Sequence, residues 1–265
     1  MPWTRRYDEA EPQRVNRWLA QSGVCSRREA EGLIARGLVS IDGAVVEDPG
    51  RKIEAGQTLT LADDVAAPAG GPLTVVMHKP VGIVSSQPEA GQVPAVRLLT
   101  RGALWGESEV IPDRDTRLAP VGRLDKDSRG LLILSEDGVV AKAVIGPASE
   151  LAKEYLVRVA GAITERKLKM LRHGLMLDGR VLKRAQVDVV EGSQLRFVLR
   201  EGRNRQIRRM CEMVDLSVTD LMRVRIGALT LGDLPEGRWR PMTAAERETL
   251  VGLSAAPLQR RGGPD

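Results

Sequence analysis

The chain has 265 residues, with 40 Lys+Arg against 35 Asp+Glu, a net charge of +5 and a pI near 9.5; 42% hydrophobic and 28% charged residues exclude wholesale disorder. Two cysteines, Cys25 and Cys211, exclude a disulfide scaffold and a four-cysteine metal site, and two histidines, His78 and His173, argue against a multi-histidine metal centre. No apolar run approaches the roughly 18 residues of a membrane span, and Met1-Pro2-Trp3-Thr4-Arg5-Arg6 has no apolar stretch after its charges, so a cytoplasmic protein without membrane contact is expected.

In chain order, residues 1–12 are polar and are expected to form a flexible N-terminus. A small unit is expected over 13–61. Val15, Trp18 and Leu19 share one helical face, with Gly23 as the stop. Ser26-Arg27-Arg28-Glu29 reads as a capping box opening a second helix lined by Ala30, Leu33 and Ile34. Two β-prone runs split by Asp42-Gly43 predict a hairpin, and Thr58-Leu59-Thr60-Leu61 a last strand. Residues 62–72 read as an Ala/Pro/Gly linker. The larger unit is expected over 73–250, starting with a strand at Leu73-Thr74-Val75-Val76-Met77. The stretch 85–117 carries no periodic signal. Leu131-Leu132-Ile133-Leu134 reads as a strand covered on both faces, 136–146 as a helix, the alternation around Tyr155 as a strand, Leu168, Leu171 and Leu175 after Thr164 as a helix, and Leu195, Phe197 and Leu199 as a further strand. Residues 251–265 are expected to be a disordered tail. Strands outnumber helices without strict alternation, which favours an α+β architecture with a mostly antiparallel sheet.

The charge is informative in its distribution. Residues 1–61 hold 9 Lys/Arg and 9 Asp/Glu, whereas 200–209 hold five arginines (200, 203, 205, 208, 209) and one acid, Glu201. Such a cluster points to a polyanion, most often nucleic acid. Ile207, Met210, Cys211 and Val214 predict a helix from about Asn204 with that side buried and Arg205, Arg208 and Arg209 on the other. Positive charge at a helix start opposes the macrodipole, which makes sense if the start faces an anion; the alternative is a solvated arginine face. Arg27 and Arg28 at the start of their helix and Arg36 at its end repeat the pattern, with ordinary surface charge as the alternative. Gly122 to Gly130 form a loop ahead of the buried strand, with Asp125 and Asp127 among basic residues including Arg123. A carboxylate there is a turn former or, if held ionised beside a cation, a reacting group. Lys79-Pro80 ends the strand before it, and its lysine reads as a solvated turn residue or a functional one. No phosphate-binding Gly-Lys-Ser/Thr loop and no dinucleotide fingerprint is present. At 3% aromatic residues, an extensive base-stacking platform is not expected.

Residues 14–61, with Ser26-Arg27-Arg28-Glu29-Ala30 and Val39-Ser40-Ile41-Asp42-Gly43, resemble an S4 RNA-binding domain of the α-L type. Lys79-Pro80-Val81-Gly82, Gly122-Arg123-Leu124-Asp125 through Gly130-Leu131-Leu132-Ile133-Leu134, Lys153-Glu154-Tyr155 and Glu201-Gly202-Arg203-Asn204-Arg205-Gln206-Ile207-Arg208-Arg209-Met210 resemble the catalytic domain of bacterial ribosomal RNA pseudouridine synthases that carry S4 at the N-terminus, closest to the branch acting on 23S ribosomal RNA. The family often has Asn before the Lys-Pro pair; here it is His78. The resemblance implies a small S4 domain and a larger domain with a mixed, mostly antiparallel sheet flanked by helices. It implies isomerisation of uridine to pseudouridine, Asp125 as the catalytic aspartate, Tyr155 packing on the target base and Arg208 pairing with the aspartate. Arg27, Arg28, Arg36, Lys79, Arg123, Arg203, Arg205 and Arg209 are the expected RNA contacts. No cofactor and no metal are implied. The expected partner of this monomer is 23S ribosomal RNA or a ribosome-assembly intermediate, with transfer RNA as a further substrate. The alternative is a non-catalytic S4-type RNA-binding or ribosome-assembly protein, which has no need of a carboxylate amid arginines.

Overall fold

The apolar spacings read from the sequence become two separate cores. In the computed structural model, which describes residues 3–22, 24–25, 27–62, 72–113 and 116–255, the chain divides into one unit of 1–73 with 136–141 and another of 74–135 with 142–265. Gly23, Ser26 with its capping box, residues 63–71 of the expected linker and the tail beyond 255 lie outside the described residues.

The first unit contains β1 (Trp3–Arg6), β2 (Gln13–Arg14), α1 (Val15–Gln21), α2 (Arg27–Ala35), β3 (Val39–Ile41), β4 (Ala44–Val45), β5 (Lys52–Ile53) and β6 (Thr58–Leu61). Val15, Trp18 and Leu19 of α1 and Ala30, Leu33 and Ile34 of α2 are buried together with Val39, Ile41, Leu59 and Leu61. The Asp42-Gly43 turn joins β3 and β4, with Ile41 opposite Ala44. Residues 3–7 correct the expectation of a loose N-terminus. β1 adds to the four-stranded sheet β1-β6-β3-β4, Trp3 pairing with Leu61. Tyr7 is fully buried and meets the Trp18 ring edge-on at 5.5 Å, and burying such aromatic surface outweighs the cost of ordering a polar-looking segment.

Around the second core lies a nine-stranded sheet. Its strands are β7 (Thr74–Lys79), β8 (Ala119–Val121), β9 (Arg129–Ser135), β10 (Lys153–Ala160), β13 (Gln186–Glu191), β14 (Gln194–Leu199), β15 (Ser217–Ile226), β16 (Leu229–Thr230) and β17 (Trp239–Pro241), while β11 (Met176–Leu177) and β12 (Arg180–Val181) form a separate small hairpin. The order is β13-β14-β10-β15-β9-β7-β17, with β16 on β15 and β8 on β9; every ladder is antiparallel except β15 with β9. β9 is buried from Gly130 to Ser135, as its unbroken apolar run predicts, and each of its four aliphatic side chains contributes on the order of 2 kcal/mol. The helices are α3 (Gly138–Ile145), α4 (Glu165–Arg172), α5 (Gln206–Glu212) and α6 (Ala244–Ala255). Thr164 caps α4 by accepting from Lys167 N, and the helix ends at Arg172, so Leu175, expected on it, joins the core from the chain beyond its end. Leu168 and Leu171 of α4, with Ile207, Met210 and Cys211 of α5, pack on Val157, Val187, Leu195 and Phe197 of the sheet. Helix α6 runs to Ala255, so 251–255, expected in a disordered tail, are helical. Among its described residues, the segment without periodicity holds two short 3-10 turns, Ala95–Leu98 and Arg101–Ala103, and isolated bridges at Pro94 and Leu104.

Candidate active site

Between β8 and β9 the loop from Gly122 to Ser128 forms part of a cleft of about 920 Å³, whose wall also includes Lys153 and Tyr155 of β10, Arg223 of β15 and the segment leading into α5. Asp125 lines this cleft with its side chain 34% exposed. Tyr155 is half-buried on β10, in register with Phe197 on β14 and Arg223 on β15, and lines the same cleft. Alternation along β10 sends Glu154 the other way. Hydrogen bonds from Arg196 (2.7 Å), opposing burial, and from Arg225 (2.8 and 2.6 Å) hold the Glu154 carboxyl below its usual range.

The cation nearest to Asp125 is not the expected one. Arg208 is only 9% exposed and turns to the end of the loop, where Nη2 donates to Asp127 O (2.8 Å) and Ser128 Oγ (3.3 Å). Its Nε is 3.3 Å from Asp127 Oδ2, close enough for charge attraction but not aligned as a hydrogen bond. Arg205 stands beside Asp125 instead, Nη1 to Oδ2 at 3.8 Å, while it grips Asp127 with both Nη1 (3.2 Å) and Nη2 (2.9 Å). Positions 205 and 208 lie on neighbouring turns of one side, so spacing alone does not choose between them. Burial works to raise the Asp127 carboxyl, and Arg205 with Arg208 outweighs it and holds that group low.

The arginine-rich segment is therefore largely satisfied inside the protein. Arg205, at the helix start, has a left-handed backbone (φ 47), and Arg203 N donates to Gln206 Oε1 while Gln206 N returns to Arg203 O. This corrects the picture of a helix start with three outward arginines facing an anion. Arg203 donates to Leu177 O (2.7 Å) and Val181 O (3.3 Å), tying down the β11–β12 hairpin, and Arg209 forms a two-pronged pair with Asp178 (3.1 and 2.7 Å). Arg123 is exposed, lines the cleft and has no side-chain partner among the described residues.

Lys79 is a second correction. Expected as an RNA contact, it is fully buried, and its Nζ donates to Pro80 O (2.8 Å) and Ile83 O (2.7 Å). It pins the turn after β7 and is not among the residues that line the cleft. Burial pulls its ammonium down to about 8, against the pull of Asp125, Asp127 and Glu236. The neighbouring His78 is buried within β7, its Nδ1 2.9 Å from Leu234 O, and is not among the cleft-lining residues. In the first unit, Arg27 opens α2 and Arg36 follows its end, both exposed; the side chain of Arg28 is outside the described residues. Two residues against the loop were not singled out from sequence, Ser85 and Arg223. Ser85 falls in the aperiodic stretch, and Arg223 is a charge at an inward position of β15.

Residues 73–213 match the family model described as RNA pseudouridylate synthase, and residues 13–59 match that of the S4 domain. The chain is 35% identical over 247 residues to the dual-specificity RNA pseudouridine synthase RluF of Salmonella typhi, covering 91% of this chain and 79% of that protein. It is 32% identical to an uncharacterized RNA pseudouridine synthase of Aquifex aeolicus, over 94% and 98% of the two chains. A crystal structure of a pseudouridylate synthase superposes with a TM-score of 0.62 at 25% identity, covering 89% of this chain and 99% of that one.

Proposed function

As the chain belongs to the RNA pseudouridylate synthase family and so forms pseudouridine in RNA, we propose that its substrate is 23S ribosomal RNA, free or in an assembling large subunit, and that Asp125 is the reacting carboxylate. The observation that carries the reading is the setting of Asp125: a partly open carboxylate on the wall of a cleft whose lining includes Arg123, Lys153, Arg205 and Arg223, while the other carboxylate there, Glu201, is paired with Arg203 at 3.4 Å. The reaction balances without oxidant or cofactor. The N1–C1′ bond breaks, the uracil turns, a C5–C1′ bond forms, C5 releases a proton to solvent and N1 takes one up. An ionised carboxylate serves either by attacking the nucleotide or by promoting proton loss from the ribose. Tyr155, which lines the same cleft, is the residue proposed to pack on the extruded uracil. Arg208 acts through the loop backbone and Asp127. Unstacking the base costs a few kcal/mol, and arginine–phosphate contacts offset it.

Pseudouridine mapping in 23S, 16S and transfer RNA from cells with and without this protein tests the reading. Loss of one or a few 23S sites on deletion is expected. No lost site in any RNA would leave a binding protein, and loss confined to 16S or transfer RNA would replace the substrate; the dual-specificity name of the Salmonella relative is a reason to read all three.

A second expectation separates true phosphate contacts from buried cations. Arg123→Ala lowers RNA affinity and reduces the slope of log K against log salt by about 0.7–0.9, one released counterion. Lys79→Met leaves that slope unchanged, because its ammonium is spent on Pro80 and Ile83 carbonyls. Filter binding across a salt series reads both, and equal slope changes would return Lys79 to the interface.

A further inference from the structure

We propose that Ser85 and Arg223 are positioning residues for the isomerisation, fixing the backbone that presents Asp125; this rests on Asp125 being the reacting carboxylate. From Gly122 to Asp127 each backbone carbonyl has a donor. Arg223 gives Nη2 to Gly122 O (3.1 Å) and Nη1 to Arg123 O (3.4 Å). Ser85 Oγ donates to Leu124 O (2.7 Å), and Ser128 N donates to Asp125 O (3.1 Å). Gly82 N donates to Lys126 O (2.8 Å) and Arg208 Nη2 to Asp127 O (2.8 Å). A surface loop ordinarily leaves such carbonyls to water. Here buried side chains take water's place on the residues immediately before the reacting one.

Ser85 is 5% exposed and works in both directions, since its hydroxyl also accepts from Leu124 N at 2.9 Å. Both polar backbone groups of the residue preceding Asp125 are thus held by one oxygen. Arg223 is 2% exposed, and its Nε reaches past the loop to Leu131 O at 2.8 Å. One rigid fork therefore ties the entry of the loop (Gly122, Arg123) to the strand that follows it. All three acceptors are backbone carbonyls, and Lys79 and Lys153 stand close enough to Arg223 to feel its like charge. A buried cation with no counter-charge among its hydrogen-bond partners is an expensive fastener, and a neutral donor would satisfy one carbonyl more cheaply. What the guanidinium adds is geometry: three donors in a plane that fix two loop carbonyls and one carbonyl of β9 at once. Holding a reacting group to within a fraction of an ångström is the use that justifies it.

The test uses the full-length protein and RNA from a strain lacking it, grown on 5-tritiated uridine, so that each C5–C1′ bond formed releases tritium. Single-turnover rate and RNA affinity are measured well below the melting temperature of each variant. Ser85→Ala is expected to slow the rate by about 10- to 100-fold while the dissociation constant stays within about threefold. Ser85→Thr, which keeps the hydroxyl, recovers most of the rate. Arg223→Lys, which keeps the charge and loses the fork, shows the same split of rate from affinity and decides alone should Ser85→Ala not fold. A wild-type rate for folded Ser85→Ala, no recovery in folded Ser85→Thr, or equal losses in rate and affinity would overturn the inference. Asp125→Asn run alongside separates the two readings: if it still releases tritium, the carboxylate assignment has failed, whereas an inert Asp125→Asn beside a fully active Ser85→Ala removes this inference alone.

Discussion

Asp125→Asn is expected to reduce pseudouridine formation by more than about 10³-fold, over 4 kcal/mol of transition-state stabilisation, while RNA binding is kept or slightly strengthened. The substitution preserves the size of the side chain and removes what either chemical route needs, an ionised carboxylate that attacks or accepts a proton. It should fold, because the hydrogen bonds of Asp125 that shape the loop are made by its main chain, its carbonyl accepting from Ser128 N. Its carboxylate has Arg205 at 3.8 Å, too long for a hydrogen bond, and Arg205 retains Asp127 at 2.9 Å when the charge at 125 is gone. An exposed pair of this kind contributes about 0–1 kcal/mol, so a large fall in activity cannot be charged to stability. Affinity moves the other way, since one negative charge leaves a cleft that receives a polyanion. Tritium release and filter binding on the same preparation read both. A variant with wild-type turnover would reduce Asp125 to a turn residue.

What spacing revealed and what it hid divide by sequence distance. The β3–β4 hairpin, the cap of α4 by Thr164 and the buried run of β9 are local in origin, and each is where its residues predict. Strand β1 was missed because Trp-Thr-Arg-Arg looks polar and three of its four residues are exposed; its partner β6 lies more than fifty residues on, and only Trp3 and Tyr7, against Trp18, mark it as part of a core. The apolar side of α5 was legible from Ile207, Met210, Cys211 and Val214. The fate of its arginines was not, because the groups that claim Arg205 and Arg208 come from about eighty residues earlier. Charge patterning registers a cluster of cations and not the partner of each, so it does not show that Lys79 is buried on the Pro80 and Ile83 carbonyls, that Arg203 ties the β11–β12 hairpin or that Arg209 pairs with Asp178 at the surface. Ser85 had no signal at all: it sits in irregular chain, where position is set by tertiary hydrogen bonds and leaves no period to find.

Gly130→Ala is expected to destabilise the protein by about 3 kcal/mol or more and to leave little activity in whatever folds. Gly130 has φ +109, and a Cβ built there lies 2.3 Å from Arg223 O and 2.6 Å from Arg223 N. Those are backbone atoms of β15, which runs parallel to β9 with Arg223 opposite Gly130, so no side chain can move aside. The same residue also pairs with Lys79 on the other flank, so β9 cannot retreat without disturbing β7. Relief requires β15 to shift, and that shift carries the Arg223 fork off Gly122 and Arg123, the residues leading to Asp125. Gly192→Ala supplies the comparison. Gly192 is also left-handed (φ 52), in the turn between β13 and β14, but nothing lies within 4 Å of its added Cβ. It pays for conformation only, about 1 kcal/mol. Urea unfolding of the two variants, with tritium release on the folded protein, isolates the cost of the strand contact as their difference. Were Gly130→Ala to unfold at the same urea concentration as Gly192→Ala and keep its turnover, the close approach of β9 and β15 would not be what holds the loop of Asp125 in place.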